Sequence, residues 1–194
     1  MFTDVMVDIE TTGTKSYDHN AIIQIAAVKF NYDTEMVSDN IFNMCLAIPA
    51  KRYWEEGTRE WWNKQRPHIL QDIRARAMPA DQVMRAYHKW LLEDYPMNDE
   101  GLRFWGKPTH FDFSFIASYL DDYGLLNPCH YRFARDQNSF MAGLSGSPNH
   151  ISLEDEIEFK GDAHNAIYDT FHQIKVLFAA KNKYLSLEVL NVDS

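Results

Sequence analysis

The apolar positions of this chain change rhythm twice. The first forty-six residues carry short, β-branched apolar runs. Val5-Met6-Val7-Asp8-Ile9-Glu10 reads as a buried strand that ends at Thr11-Thr12-Gly13. A polar turn, Thr11 to Asn20, follows. Ile22-Ile23-Gln24-Ile25-Ala26-Ala27-Val28-Lys29-Phe30 reads as a second strand, Asn31-Tyr32-Asp33 has turn chemistry, and Met36 to Leu46 supplies a third strand. Three strands joined by short turns predict an antiparallel meander.

From residue 51 to 96 the spacing becomes helical. Glu55 to Gln65 reads as a helix capped at Thr58, Pro67 as a break, and His68 to Ala77 as a second short helix. Pro79 and Asp81 open a third, with Val83, Tyr87, Trp90 and Leu91 at helical spacing. Strand and helix then alternate. Leu102 to Gly106 is a short strand and His110 to Asp122 a helix stopped at Tyr123-Gly124. Residues 131–134 form another strand, Asp136 to Leu144 a helix, and Ser145 to Lys160 a loop. A last helix begins near Asp162 as N-cap, with Ile167, Phe171, Ile174 and Phe178 as its core stripe. A meander followed by alternating helices and strands predicts an α/β fold with an antiparallel edge.

At 194 residues, 45% hydrophobic and 14% aromatic, the chain suits one folded domain spanning 1–194. No apolar run approaches the roughly 18 residues a membrane span needs, so no membrane partner is expected. The start lacks signal-peptide features, and Cys45 and Cys129 read as two reduced thiols, so a cytoplasmic setting is expected. The net charge of −9 argues at first against nucleic acid. Its distribution changes that: residues 51–89 carry nine Lys/Arg against five Asp/Glu (+4), and the rest carries −13. A basic segment in an acidic chain is compatible with local nucleic-acid binding, and equally with a solvated helix face.

The chemistry begins at the first strand. Alternation puts Asp8 and Glu10 on one face and Val7 and Ile9 on the other. Two like charges at a buried strand end are costly without a cation between them. The strand either runs out into solvent there or holds a hard divalent ion such as Mg²⁺ or Mn²⁺. Asp112 follows Phe111 where the strand ending at Gly106 passes into a helix. Asp169 lies five residues after His164, about 200° around the helix from Ile167 and so off the core stripe.

Taken in order, Asp8-x-Glu10, Phe111-Asp112 and His164-x₄-Asp169 resemble the DEDDh 3′→5′ exonucleases, the DnaQ-like group of the ribonuclease H-like fold. The resemblance spans residues 5–179 and includes the second strand. Thr58-Arg59-Glu60-Trp61-Trp62-Asn63-Lys64-Gln65 is similar to the Thr-x-x-Trp-Trp-x-x-Gln signature of one branch, which includes a phage exonuclease A type of DNA exonuclease and a bacterial exoribonuclease type. Trp105-Gly106 and Arg135-Asp136 also look like that branch. The turn before Phe111-Asp112 departs from it: Lys107-Pro108-Thr109-His110 stands where many members have Asn or Gly.

The resemblance implies a mixed five-stranded sheet, meander first and parallel strands after, flanked by helices. It implies two divalent ions, Mg²⁺ or Mn²⁺, with Asp8, Glu10 and Asp169 as direct ligands and Asp112 acting through water. His164 becomes the general base, and its ordinary pKa near 6.5 suits that work. The partner implied is a single-stranded nucleic acid with a free 3′ end, cut to nucleoside 5′-monophosphates, with DNA leading and RNA as the alternative. Thr11, Thr12 and Gly13 either contact the terminal nucleotide or form an ordinary turn. One of Trp61 and Trp62 stacks on a base, or both are core. Gln65 fixes the site by a hydrogen bond, and Arg135 meets a phosphate or a carboxylate. A homodimer stays open. The rivals are a catalytically idle nucleic-acid- or polymerase-binding module, and an endonuclease of the ribonuclease H type.

Overall fold

The computed structural model describes residues 1–16, 19–96, 101–149 and 152–189, the last four as backbone. The strands are β1 (Asp4–Thr11), β2 (Ile22–Asn31), β3 (Met36–Cys45), β4 (Arg103–Gly106) and β5 (Ala134–Asp136). The helices are α1 (Glu56–Gln65), α2 (Pro67–Arg76), α3 (Ala80–Leu92), α4 (Thr109–Asp122), α5 (Gln137–Leu144) and α6 (Ala166–Val189). The strands form one mixed sheet in the order β3-β2-β1-β4-β5. The meander is antiparallel, and β4 and β5 join parallel to β1.

The pleat of β1 decides where its side chains go. Val5, Val7 and Ile9 pack into a core with Tyr87 and Leu91 of α3 and Phe115, Ile116 and Tyr119 of α4. Met6 faces the opposite layer, where Phe30 and Trp105 meet Ile174 and Leu177 of α6. The even positions continue that second face, so Asp8 and Glu10 come out of the sheet on the side of α6. Asp4, on the same face, is fully buried and held by Arg103 (Nε at 2.7 Å) and Trp105 (Nε1 at 2.7 Å). Among the described residues, no Lys or Arg forms an ion pair with the acids at the far end.

Several expected boundaries shift, each for a local reason. α1 begins at Glu56, and Thr58 lies inside it with its hydroxyl donating to Glu55 Oε2 at 2.9 Å. Pro67 opens α2 instead of breaking the chain outside it, because a first-turn residue needs no amide partner. Residues 131–133 are a 3₁₀ turn and the strand begins at Ala134. Asp136 is the cap of α5, accepting from Ser139 N–H at 2.8 Å. Asp162 does not cap α6. Gly161 (φ 111°) and His164 (φ 66°) turn the chain through the left-handed region, which postpones the helix to Ala166. The Thr11–Asn20 turn and the Ser145–Lys160 loop are described except at 17–18 and 150–151. Among the described residues no helix is long and apolar enough to cross a membrane.

Candidate active site

β4 is short. Its pairing with β1 covers only Asp4, Val5 and Met6. Beyond Met6 that edge of β1 lacks a strand, and the N–H of Ile9 is free to take another partner. Asp112, in the first turn of α4, supplies it: its Oδ1 accepts from Ile9 N at 3.2 Å, and the side chain is only 3% exposed. Gly106 makes room for this carboxylate, since a Cβ there would lie 2.9 Å from Asp112 Oδ2 and 3.0 Å from Thr109 Cα.

α6 brings the fourth acid. Asp169 lies on its first turn and accepts from the backbone N–H of His164 at 2.9 Å, so the turn before the helix and the acid on it are locked together. One turn further on, Gln173 donates from Nε2 to Asp8 Oδ1 at 2.7 Å, which ties α6 to the end of β1. Gln24, across from Glu10 on β2, holds the start of the helix. Its Oε1 accepts from Ala166 N–H at 3.2 Å, and its Nε2 donates to Asn165 Oδ1 at 2.9 Å.

Ligand oxygens of Asp8, Glu10 and Asp169 lie within 4.8 Å of one another. With Asp112, His164 and Lys107 they line one open pocket of about 390 Å³. Burial, then the neighbouring carboxylates, pushes Asp8 and Glu10 well above the ordinary carboxyl range. Burial lifts Asp112 to about 8 and Asp169 to about 6. Four acids that resist ionising together are the donor set a hard divalent cation requires, because its charge reverses the balance. Three oxygen donors within 4.8 Å of one another, with Asp8 oriented from behind by Gln173, fit Mg²⁺ or Mn²⁺.

His164 is exposed on the pocket, and its imidazole meets the Trp61 indole edge to face at 4.9 Å. Burial and then Arg66 lower its pKa. Trp62 turns the other way: it is 2% exposed, packs with Ile69, Leu70 and Ile73, and donates from Nε1 to Thr11 O at 3.1 Å. The pair therefore divides into one core residue and one that is 38% exposed and packed on His164.

The other residues singled out from the sequence are placed as follows. Thr12 is fully buried, its hydroxyl donating to Tyr53 O at 2.7 Å and accepting from Ala21 N–H at 2.6 Å. Thr11 Oγ1 donates to Gly13 O at 2.7 Å. A Cβ at Gly13 would meet the Asn20 side chain at 2.3 Å, so a close approach requires glycine there. These three form a tightly built turn next to Glu10. Among the described residues Gln65 makes no side-chain hydrogen bond to the site; its side chain is exposed at the helix end. Among the described residues Arg135 meets neither a carboxylate nor the pocket lining. It donates to the carbonyl oxygens of Arg132 and Ala134 at 3.1 and 3.2 Å, on an edge strand two places from β1. Gln24 and Gln173 were not singled out. A lone amide inside an apolar strand, and an amide four residues after Asp169 on one helix face, were the signals for them.

Solved structures with this architecture include nucleases. Cell-death related nuclease 4 (CRN-4) superposes with a TM-score of 0.66 at 16% identity over 92% of this chain, and this chain spans 63% of that one. S. pombe Pop2p in its Mg²⁺- and Mn²⁺-bound form gives 0.68 at 13% identity, covering 95% of this chain and 84% of that one. The nuclease domain of 3′hExo, a DEDDh family member bound to rAMP, gives 0.61 at 14% identity, covering 94% and 92%. At such identities the likeness is one of fold. A search of curated protein sequences found no match. Residues 3–180 match the sequence profile of the Rv2179c-like 3′-5′ exoribonuclease domain, so this chain belongs to that family and is a 3′→5′ exonuclease, on the fold it shares with these structures.

Proposed function

We propose that the protein is a metal-dependent exoribonuclease that removes nucleoside 5′-monophosphates from the free 3′ end of single-stranded RNA. The observation that carries the metal-dependent reading is the convergence of Asp8, Glu10 and Asp169 within 4.8 Å, with His164 on the same pocket. The choice of RNA over the DNA first expected follows the description of the family the chain matches.

Asp8, Glu10 and Asp169 would hold the divalent ions, and Asp112, hydrogen-bonded to β1, would complete the set. When bound, the ions supply Lewis-acid stabilisation of the phosphoryl charge and favour loss of a proton from water. His164 takes the proton of the attacking water. Burial and Arg66 depress its pKa, so it is in the base form at neutral pH. Gln173 keeps one Asp8 oxygen occupied and so orients the other. The turn at Thr11–Gly13 lies beside Glu10, where the last sugar of the strand would lie.

Matched RNA and DNA oligonucleotides, labelled at the 5′ end and digested side by side in Mg²⁺ or Mn²⁺, test this reading. Stepwise mononucleotide release from RNA, lost with EDTA and with Asp8→Ala, is the expected result. Faster release from DNA would overturn the substrate assignment, and release insensitive to EDTA would overturn the metal dependence.

A further inference from the structure

The pocket lined by the four acids contains a single Lys or Arg among the described residues, Lys107. It stands in the turn between β4 and α4, at the point where the sequence departs from the pattern it otherwise resembles. Its side chain is 21% exposed and its ammonium pairs with Glu154, which lies on an exposed 3₁₀ turn of the segment between α5 and α6. Burial lowers the Lys107 pKa, and Asp169 and Asp8 act against that, which places the ammonium in the field of the metal-site carboxylates.

We propose that Lys107 is a substrate-binding residue that takes a phosphate oxygen of the nucleic-acid strand, exchanging Glu154 for the phosphate as the strand enters. This rests on the exonuclease reading of the pocket. The charge count supplies the reason. Four ionised carboxylates balance two divalent ions and leave nothing over for a phosphodiester, which brings one more negative charge. Lys107 is the positive charge at hand in the lining. A half-buried ammonium needs a partner at all times. Glu154 is 43% exposed and returns to water at little cost, so exchanging one anion for another keeps Lys107 paired throughout.

A purely structural tie between the two loops predicts the opposite dependence on Glu154, and four proteins separate the cases: wild type, Lys107→Gln, Lys107→Arg and Glu154→Gln. Each is checked for folding by thermal unfolding. Binding of a 5′-fluorescent single-stranded oligoribonucleotide is then measured by anisotropy in Ca²⁺ over a KCl series, alongside mononucleotide release in Mg²⁺. Lys107→Gln is expected to weaken binding about 10-fold and to flatten the slope of log Kd against log salt by about 0.7, the signature of one lost phosphate contact on a single strand. Lys107→Arg keeps the slope. Glu154→Gln binds as tightly as wild type or more tightly.

Unchanged binding and slope in Lys107→Gln overturn the proposal. So does weakening by Glu154→Gln equal to that by Lys107→Gln. If Lys107→Gln does not fold, Glu154→Gln decides alone: equal or tighter binding supports the phosphate role and weaker binding refutes it. A wild type that releases no mononucleotide from RNA or DNA overturns the exonuclease reading and this inference together. Release by wild type with a silent Lys107→Gln overturns only the inference.

Discussion

The Trp61 indole stands edge to face against the His164 imidazole, at 4.9 Å between ring centres and 73° between ring planes. Trp61 is itself held by Trp62, whose ring meets it at 5.4 Å and whose Nε1 is anchored on Thr11 O. The proposed general base is thus braced, through two tryptophans, against the strand end that carries Glu10. An edge-to-face pair is worth about 0.5–1.5 kcal/mol. Trp61→Ala is expected to lower kcat by about 2- to 10-fold on that energy scale, with Trp61→Phe retaining most of it. The split between kcat and KM in steady-state kinetics decides this: a rise in KM alone would assign Trp61 to base stacking instead.

His164→Ala is expected to reduce turnover by about 10²- to 10⁴-fold, the usual range for a lost general base. Mn²⁺ binding, followed by calorimetry, is expected to survive, because the three ligand acids are untouched. Asp8→Ala loses both. In the wild type, the acid limb of the rate profile is expected to fall below the ordinary histidine pKa, since burial and Arg66 favour the neutral ring.

Asp112 gives a stability test with a definite sign. Its carboxyl is raised to about 8 by burial, and Asp169 is raised to about 6. A carboxyl raised on folding stays protonated in the native state while the unfolded chain ionises. Metal-free protein is therefore expected to lose stability as pH climbs from about 4 towards 8, by several kcal/mol. Asp112→Asn keeps an acceptor for the Ile9 N–H and removes the titration. Thermal melts in EDTA are expected to show this variant more stable than wild type at pH 8 and nearly equal at about pH 4, while its nuclease activity is lost. Added Mg²⁺ is expected to raise the wild-type Tm most at the higher pH.

Gln173→Leu tests the brace behind the metal site. Removing the 2.7 Å donor leaves Asp8 free to rotate. A lost ligand-orienting bond commonly costs 10- to 100-fold in metal affinity, and calorimetric titration with Mn²⁺ is expected to show about the lower figure. An unchanged affinity would mean that packing alone orients Asp8.

The sequence by itself determined which face Asp8 and Glu10 occupy. Two-residue alternation along an apolar strand leaves no other arrangement once Val5, Val7 and Ile9 are core. The meander and most helices were legible for the same reason, since hydrophobic period is a local property. The order of the acids and His164 along the chain was legible too, and it carried the resemblance to DEDDh exonucleases. Only the tertiary structure decided how those residues meet. Asp112 is fixed by an N–H 103 residues away, exposed because β4 stops early. Gln24 and Gln173 act across 141 and 165 residues, and no local pattern encodes such partners. Trp61 and Trp62 were equivalent neighbours in the sequence until the Thr11 carbonyl claimed one and left the other to His164. Lys107 was a mismatch in a motif until the fold of β4 into α4 put it in the lining of the pocket that holds the four carboxylates, with its ammonium on Glu154. Long-range contact, which sequence period cannot express, turned two carboxylates on a strand into a site.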